Sequence, residues 1–188
     1  MTAPLPLAEV FRFFEDPGNL GRITPPWLNF RIVNPGRVQM REGAEIDYLI
    51  RWQGLPMKWK TVITRYDPPH GFVDEQFRGP YSLWRHEHTF EETPDGVAIL
   101  DRVDYRLPFG PLGRFAHAVL VENQLLEIFR FRQKATAEIL GANGITFDEP
   151  RVETCVDSKS AAGTSRLRTI PETTSQVRES RKVTERQV

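Results

Sequence analysis

Residues 79–91 read GPYSLWRHEHTFE. Gly79-Pro80 is a turn signal. Past it, Trp84, His86, His88 and Phe90 alternate with Leu83, Arg85, Glu87 and Thr89. Side chains alternate across a strand, so one face receives an indole, two imidazoles and a phenyl in a row. That face is neither an aliphatic core nor a solvated surface. It has the chemistry of a pocket wall, apolar with a few polar groups. Thr93-Pro94-Asp95-Gly96 then turns the chain, and residues 97–107 (VAILDRVDYRL) return as a strand. Val97, Ile99, Asp101, Val103 and Tyr105 share one of its faces.

The same alternation extends upstream. Residues 44–53 (AEIDYLIRWQ) place Ile46, Tyr48, Ile50 and Trp52 on one face. Residues 57–66 (MKWKTVITRY) place Met57, Trp59, Thr61 and Ile63 together. A short Gly-containing loop joins these two runs as a hairpin. Shorter strands are expected at 28–33 and 72–78. Leu7–Glu15 (LAEVFRFFE) has helical spacing instead, with Leu7, Val10, Phe11 and Phe14 on one stripe. Residues 19–24 are expected to form a second short helix. Residues 112–140 lack Gly after Gly113, lack Pro and are rich in helix formers. They predict one long helix of about seven to eight turns, stopped at Gly141 and Gly144. The resulting class is α+β. An antiparallel sheet of about six strands is covered on its apolar face by the long C-terminal helix, with two short helices near the N-terminus. A curved sheet around one helix leaves a cavity between them.

Formal net charge is zero over 188 residues, so bulk charge gives no reason to expect nucleic acid as a partner. The charge is divided unevenly. Residues 1–150 carry 17 Lys+Arg and 20 Asp+Glu, a net of −3; residues 151–188 carry the remaining 8 and 5, a net of +3. The second segment has no aromatic residue and many Ser and Thr. It is expected to be a disordered polar tail, because it has little apolar area to offset its ordering entropy. The expected division is therefore a folded domain at 1–144 and a tail at 145–188. The single cysteine, Cys155, excludes an internal disulfide. No apolar run reaches the roughly 18 residues of a membrane span, and no secretory signal opens the chain. A cytoplasmic location is expected.

The motifs TPPWLNF at 24–30, GPYSLWRHEHTF at 79–90, DRVDYRLPFG at 101–110 and IFRFR at 128–132, in this order of elements, resemble the START-like (SRPBCC) superfamily. Within it the chain is similar to the bacterial SRPBCC ligand-binding group, related to polyketide cyclase/dehydrase-like and Bet v 1-like proteins. The resemblance implies a helix-grip fold with a hydrophobic cavity that binds lipids, sterols or polyketide-like molecules. It implies no universal catalytic residue, and no cofactor is expected. Such folds begin with a strand, and residues 1–6 are too short and Pro-rich to promise one. Without it, residues 97–107 would be a bare sheet edge.

The expected ligand-binding residues are Tyr48, Trp52, Trp59, Trp84, His86, His88 and Tyr105. Three indoles on neighbouring strands suit a cavity lining, and each needs a partner for its N–H. No residue is assigned as catalytic, and no metal site is assigned. His86 and His88 are the candidates for a general base. They are also candidates for two ligands of a metal, with Asp101 the nearest third. The plain alternative is a hydrogen-bonded polar strip in the pocket. Arg130 and Arg132 interrupt the apolar helix, either to meet a ligand anion or to reach solvent. The leading expectation is a binding or carrier module for a small hydrophobic molecule. The alternatives are a cyclase, dehydratase or hydrolase on a polyketide-like substrate, and a protein-interaction module. No GxSxG, Walker, GxGxxG or HExxH motif occurs.

Overall fold

Five long strands form a meander: β3 (Glu45–Trp52), β4 (Leu55–Asp67), β5 (Gly71–Arg78), β6 (Leu83–Thr93) and β7 (Gly96–Arg106). The computed structural model describes residues 1–52, 54–108, 121–155 and 164–169. Each strand pairs antiparallel with the next. The turns are those the Gly, Pro and Asp clusters predict. Register shifts at Lys60/Thr61 and Ile63/Arg65 mark irregularities in β4, which bend a strand and increase its twist. β6 pairs β7 along its whole length, so His86 lies opposite Val103, His88 opposite Asp101 and Trp84 opposite Tyr105. Residues directly opposite point to the same face. The inner face of the sheet is thus continuous from Tyr48 and Trp59 to Val103 and Tyr105.

Among the described residues, two α-helices complete the architecture. α1 (Leu7–Glu15) buries Leu7, Val10, Phe11, Phe13 and Phe14. Phe11 and Phe14 pack on Phe90 of β6, with ring centroids 5.7 and 5.1 Å away. α2 (Glu122–Leu140) buries Leu125, Phe129, Gln133, Ala135 and Thr136, and ends on Gly141 in the left-handed region at φ 63°. Residues 112–120 of the expected long helix lie outside the described residues. The second short helix expected at 19–24 is absent. Single 3-10 turns occupy Pro17–Asn19 and Pro26–Leu28 instead. The latter takes Leu28, and its left-handed cap Asn29 delays the strand expected at 28–33, leaving only β2 (Arg31–Ile32), which pairs with β3. No described helix is long and apolar enough to cross a membrane.

The far edge of β7 departs most from expectation. A first strand is present: β1 (Thr2–Ala3) pairs with β7 through Thr2↔Ala98 and Ala3↔Val97. Gly96 permits this approach. It adopts φ +125°, and a Cβ there would sit 2.2 Å from the Ala3 carbonyl oxygen. Further along, β8 (Arg151–Cys155) and β9 (Thr164–Thr169) form a hairpin, and β9 pairs with Asp101–Tyr105 of β7. β7 is therefore not a bare edge, and among the described residues the sheet has nine strands where about six were expected. The disordered tail expected from residue 145 is corrected over these two segments. Composition weighed the apolar area that the tail carries. It could not weigh the unpaired backbone groups of β7, which the tail satisfies. Leu167 adds a fully buried side chain beside Val103 and Tyr105. Residues 156–163 and 170–188 lie outside the described residues.

The Leu167→Ala variant tests this docking. Chemical denaturation is expected to show a loss of about 2–5 kcal/mol, as for a buried leucine. A loss below about 0.5 kcal/mol, typical of surface substitutions, would contradict it.

Candidate functional site

The two hydrophobic clusters do not close on each other. α1, β1 and Phe90 anchor one cluster. Val103, Tyr105, Leu125, Phe129 and Leu167 form the other. A cavity of about 410 Å³ opens between the inner face of β3–β7 and α2. α2 contributes Val121, Gln124, Leu125, Ile128, Phe129 and Arg132. Those positions recur every three to four residues, which is one helical face.

Six of the seven expected ligand-binding residues line this cavity: Tyr48, Trp52, Trp59, Trp84, His86 and His88. They form a connected aromatic wall. Tyr48 stacks on Trp59 at 5.7 Å and 17°, and Trp59 meets Trp84 edge-on at 5.3 Å. Tyr48, Trp52 and Trp59 each have a partner for their polar atom. Trp59 Nε1 donates to Thr61 Oγ1 at 3.1 Å, and the Tyr48 hydroxyl lies 3.3 Å from the same oxygen. Trp52 Nε1 donates to Gln124 Oε1, tying β3 to α2. Tyr105 is the exception. It is fully buried behind Tyr81 and Trp84, at ring distances of 5.9 and 6.3 Å, and its hydroxyl bonds Ser165 of β9. Once the tail docks, this end of β7 is core. Tyr81, just past the Gly79-Pro80 turn, takes the place on the cavity wall.

The polar end of the cavity is a cluster of four side chains from three strands. β6 supplies His86 and His88. β5 sets Asp74 directly opposite His86, and β7 sets Asp101 directly opposite His88. His86 Nε2 lies 2.9 Å from Asp101 Oδ1 and its Nδ1 lies 3.5 Å from Asp74 Oδ2. His88 Nε2 lies 3.3 Å from Asp74 Oδ2. Its Nδ1 is 2.9 Å from Asp101 Oδ1, close but off the line of a hydrogen bond. The imidazoles contact each other at 3.8 Å, and Phe72 stacks on His88 at 4.3 Å. Asp74, His86 and His88 face the cavity; Asp101, only 5% exposed, stands behind them.

Burial and the carboxylates divide the charge unequally. Burial, then the neighbouring His88, pushes His86 below the ordinary imidazole range, and the bond to Asp101 only partly offsets this. Burial lowers His88 too, but the flanking carboxylates of Asp101 and Asp74 more than reverse it. Burial raises both carboxyls, yet the two imidazoles hold Asp74 low and Asp101 well below the usual carboxylate range. His88 is therefore the imidazole favoured to carry the charge. Arg132 lies on the same wall and adds to the lowering of Asp74. Among the described residues its buried Nε has no hydrogen-bond partner. Arg130 instead faces outward and pairs with Glu149 at 3.0 Å. Asp74 was missed from the sequence because the irregular link at 79–82 left the β5–β6 register open. Its alternation with Phe72 was the available signal.

Residues 3–129 match the sequence profile of a family described as "Polyketide cyclase / dehydrase and lipid transport". A comparison with curated protein sequences gave no match. Solved structures with similar folds include protein Ms6760 from Mycobacterium smegmatis, at 17% identity and a TM-score of 0.55 over 75% of this chain and 87% of that one. TTHA0849 from Thermus thermophilus has 18% identity and a TM-score of 0.56 over 77% and 96% of the two chains. Ara h 8.0201 has 16% identity and a TM-score of 0.51 over 75% and 94%. At these identities the likeness concerns the fold: α+β, with a large antiparallel sheet and few helices.

The buried cluster predicts a stability effect. Asp101→Ala removes one partner of a buried charged network, and urea unfolding is expected to show a loss of about 3–5 kcal/mol. A loss under about 1 kcal/mol, no more than an ordinary hydrogen bond, would mean that the pairing with His86 contributes little.

Proposed function

Because the chain belongs to the polyketide cyclase/dehydrase and lipid transport family, we propose that it binds or carries a small hydrophobic molecule in a helix-grip cavity between the sheet and α2. The ligand class is lipid, sterol or polyketide-like. The observation that carries this reading is the cavity itself. Its volume of about 410 Å³ falls in the range of small-molecule pockets, about 300–1,000 Å³. Its walls are aromatic and aliphatic, with the ionisable groups gathered at one place. That arrangement suits an amphipathic guest with an apolar body and one polar end.

Magnitudes indicate how the work divides. Burying about 300 Å² of apolar ligand surface at roughly 25 cal/mol per Å² yields about 7–8 kcal/mol. Association costs about 4 kcal/mol or more. Apolar contact alone leaves weak binding, so affinity and selectivity depend on the polar end, where Asp74, His86, His88 and Arg132 meet the guest. The enzymatic alternative, with a histidine as free general base, has less support. Every ring nitrogen of the pair lies within 3.5 Å of a carboxylate oxygen. The interaction-module alternative rests on an exposed sheet edge or the tail; β1 and the tail strand β9 occupy the β7 edge.

Three of the four tryptophans line the cavity, so intrinsic fluorescence reports on occupancy. Titration with a fatty acid, a sterol and a polyaromatic polyketide is expected to give saturable quenching with at least one class. Ile128→Phe, which intrudes on the cavity from α2, is expected to weaken that binding about tenfold, or 1.4 kcal/mol. No saturable response to any class, together with no small molecule retained in native mass spectrometry, would overturn the proposal.

A further inference from the structure

The cluster at the polar end contains more than paired charges. A neutral imidazole carries one proton and one lone pair. When the His86 proton is directed at Asp101 from Nε2, the Nδ1 lone pair faces Asp74 Oδ2 at 3.5 Å. His88 Nε2 lies 3.3 Å from the same Asp74 oxygen, and a cation that displaces its proton would meet its lone pair there. Two nitrogen lone pairs and a carboxylate oxygen then converge, and one donor atom from each residue lies within 4.8 Å of the others. Such an electron-rich set is completed by a cation.

We propose that Asp74 Oδ2, His86 Nδ1 and His88 Nε2 bind a divalent metal ion of the zinc type, with its fourth position open to the cavity. Three features support it. The first is spacing. Four-coordinate bonds of about 2.0–2.1 Å give donor–donor edges of about 3.3 Å, whereas six-coordinate geometry gives edges of about 2.9–3.0 Å. The two nitrogen–oxygen contacts, 3.3 and 3.5 Å, match the four-coordinate edge, and the nitrogen–nitrogen edge lies within 4.8 Å. The second is Asp101. Metal-bound imidazoles characteristically turn their other ring nitrogen to a carboxylate, which fixes tautomer and ring orientation. Here Asp101 Oδ1 hydrogen-bonds His86 Nε2 at 2.9 Å and lies 2.9 Å from His88 Nδ1, off the hydrogen-bond line. The third is access. The three donor residues line the cavity while Asp101 lies behind them. The sequence pointed to Asp101 as a third ligand. The register instead gives that place to Asp74 on β5 and leaves Asp101 as the positioning residue.

The chemistry of the open position follows from charge. Asp74 and Asp101 offset a divalent ion, and Arg132 on the same wall leaves the locality positive. The fourth ligand is then an anionic oxygen, a carboxylate or enolate, borne on the hydrophobic guest. This last point rests on the cavity reading; the metal site itself does not.

The test uses the full chain, stripped of metal by a chelator and titrated with CoCl₂, then ZnCl₂, with no hydrophobic ligand present. One equivalent of Co²⁺ is expected to produce the intense visible bands of four-coordinate cobalt, and Zn²⁺ is expected to abolish them. Asp74→Asn and His88→Ala, each checked for folding by circular dichroism, are expected to lose the bands. Asp101→Asn is expected to retain them with affinity about 10–100-fold weaker. Glu75→Gln, on the opposite face of β5, is expected to behave as the unsubstituted chain. Absence of the bands in the unsubstituted chain would overturn the site, as would full binding by Asp74→Asn. Fluorescence titration of the metal-free protein reads the cavity separately, so the two proposals fail independently.

Discussion

The register of β6 against β7 is the constraint on which the other features depend. Eleven pairs, from Leu83↔Arg106 to Thr93↔Gly96, hold the two strands together. The side-chain period of a strand is two, so a slip of one residue would send Trp84, His86, His88 and Phe90 to the outer face. The outer face carries Arg85, Glu87 and Arg102, whose ion pairs lie near the surface. Such pairs are worth little individually. What specifies the register is burial of the inner set, together with the turn at 94–96. Phe90 packs under α1 and Trp84 under Tyr81, so both ends of the inner row are fixed.

That row creates a conflict which the fold resolves by leaving space. Imidazoles and carboxylates cannot be packed into an aliphatic core without loss of solvation. Here β5 and β7 each contribute one aspartate beside the histidines, so the cluster satisfies much of its own polarity. The clusters on either side close around Phe90 and around Val103 with Leu167, and the cavity remains between them. The aromatic wall is held by ring contacts among Tyr48, Trp59 and Trp84, and Tyr48 and Trp59 share Thr61 Oγ1 as a polar anchor. A preformed cavity loses less free energy to ordering when a guest enters.

Much of this was readable from residue order alone. Strand alternation placed Tyr48, Trp52, Trp59, Trp84, His86 and His88 on one face, and all six line the cavity. Helical spacing placed the buried stripe of Leu7–Glu15. Tyr105 was assigned to that wall on the same grounds, but its neighbour across the sheet edge is a strand from the tail. Composition alone implies a disordered tail, because it reports side-chain area and not the backbone partners available to it. Asp74 was hidden for a related reason. Its place opposite His86 depends on the exact length of an irregular connection.

Local pattern is a property of consecutive residues, so the sequence determined which faces are apolar, which strands form hairpins and where the helices end. Pairing across a sheet edge and register through an irregular loop are properties of segments far apart in the chain. Only the tertiary structure decided that residues 164–169 complete β7. Only it set Asp74 and Asp101 on either side of two histidines. Residues 79–91 carry the histidines, but their chemistry depends on the carboxylates that neighbouring strands bring within 3.5 Å, and only folding sets that distance.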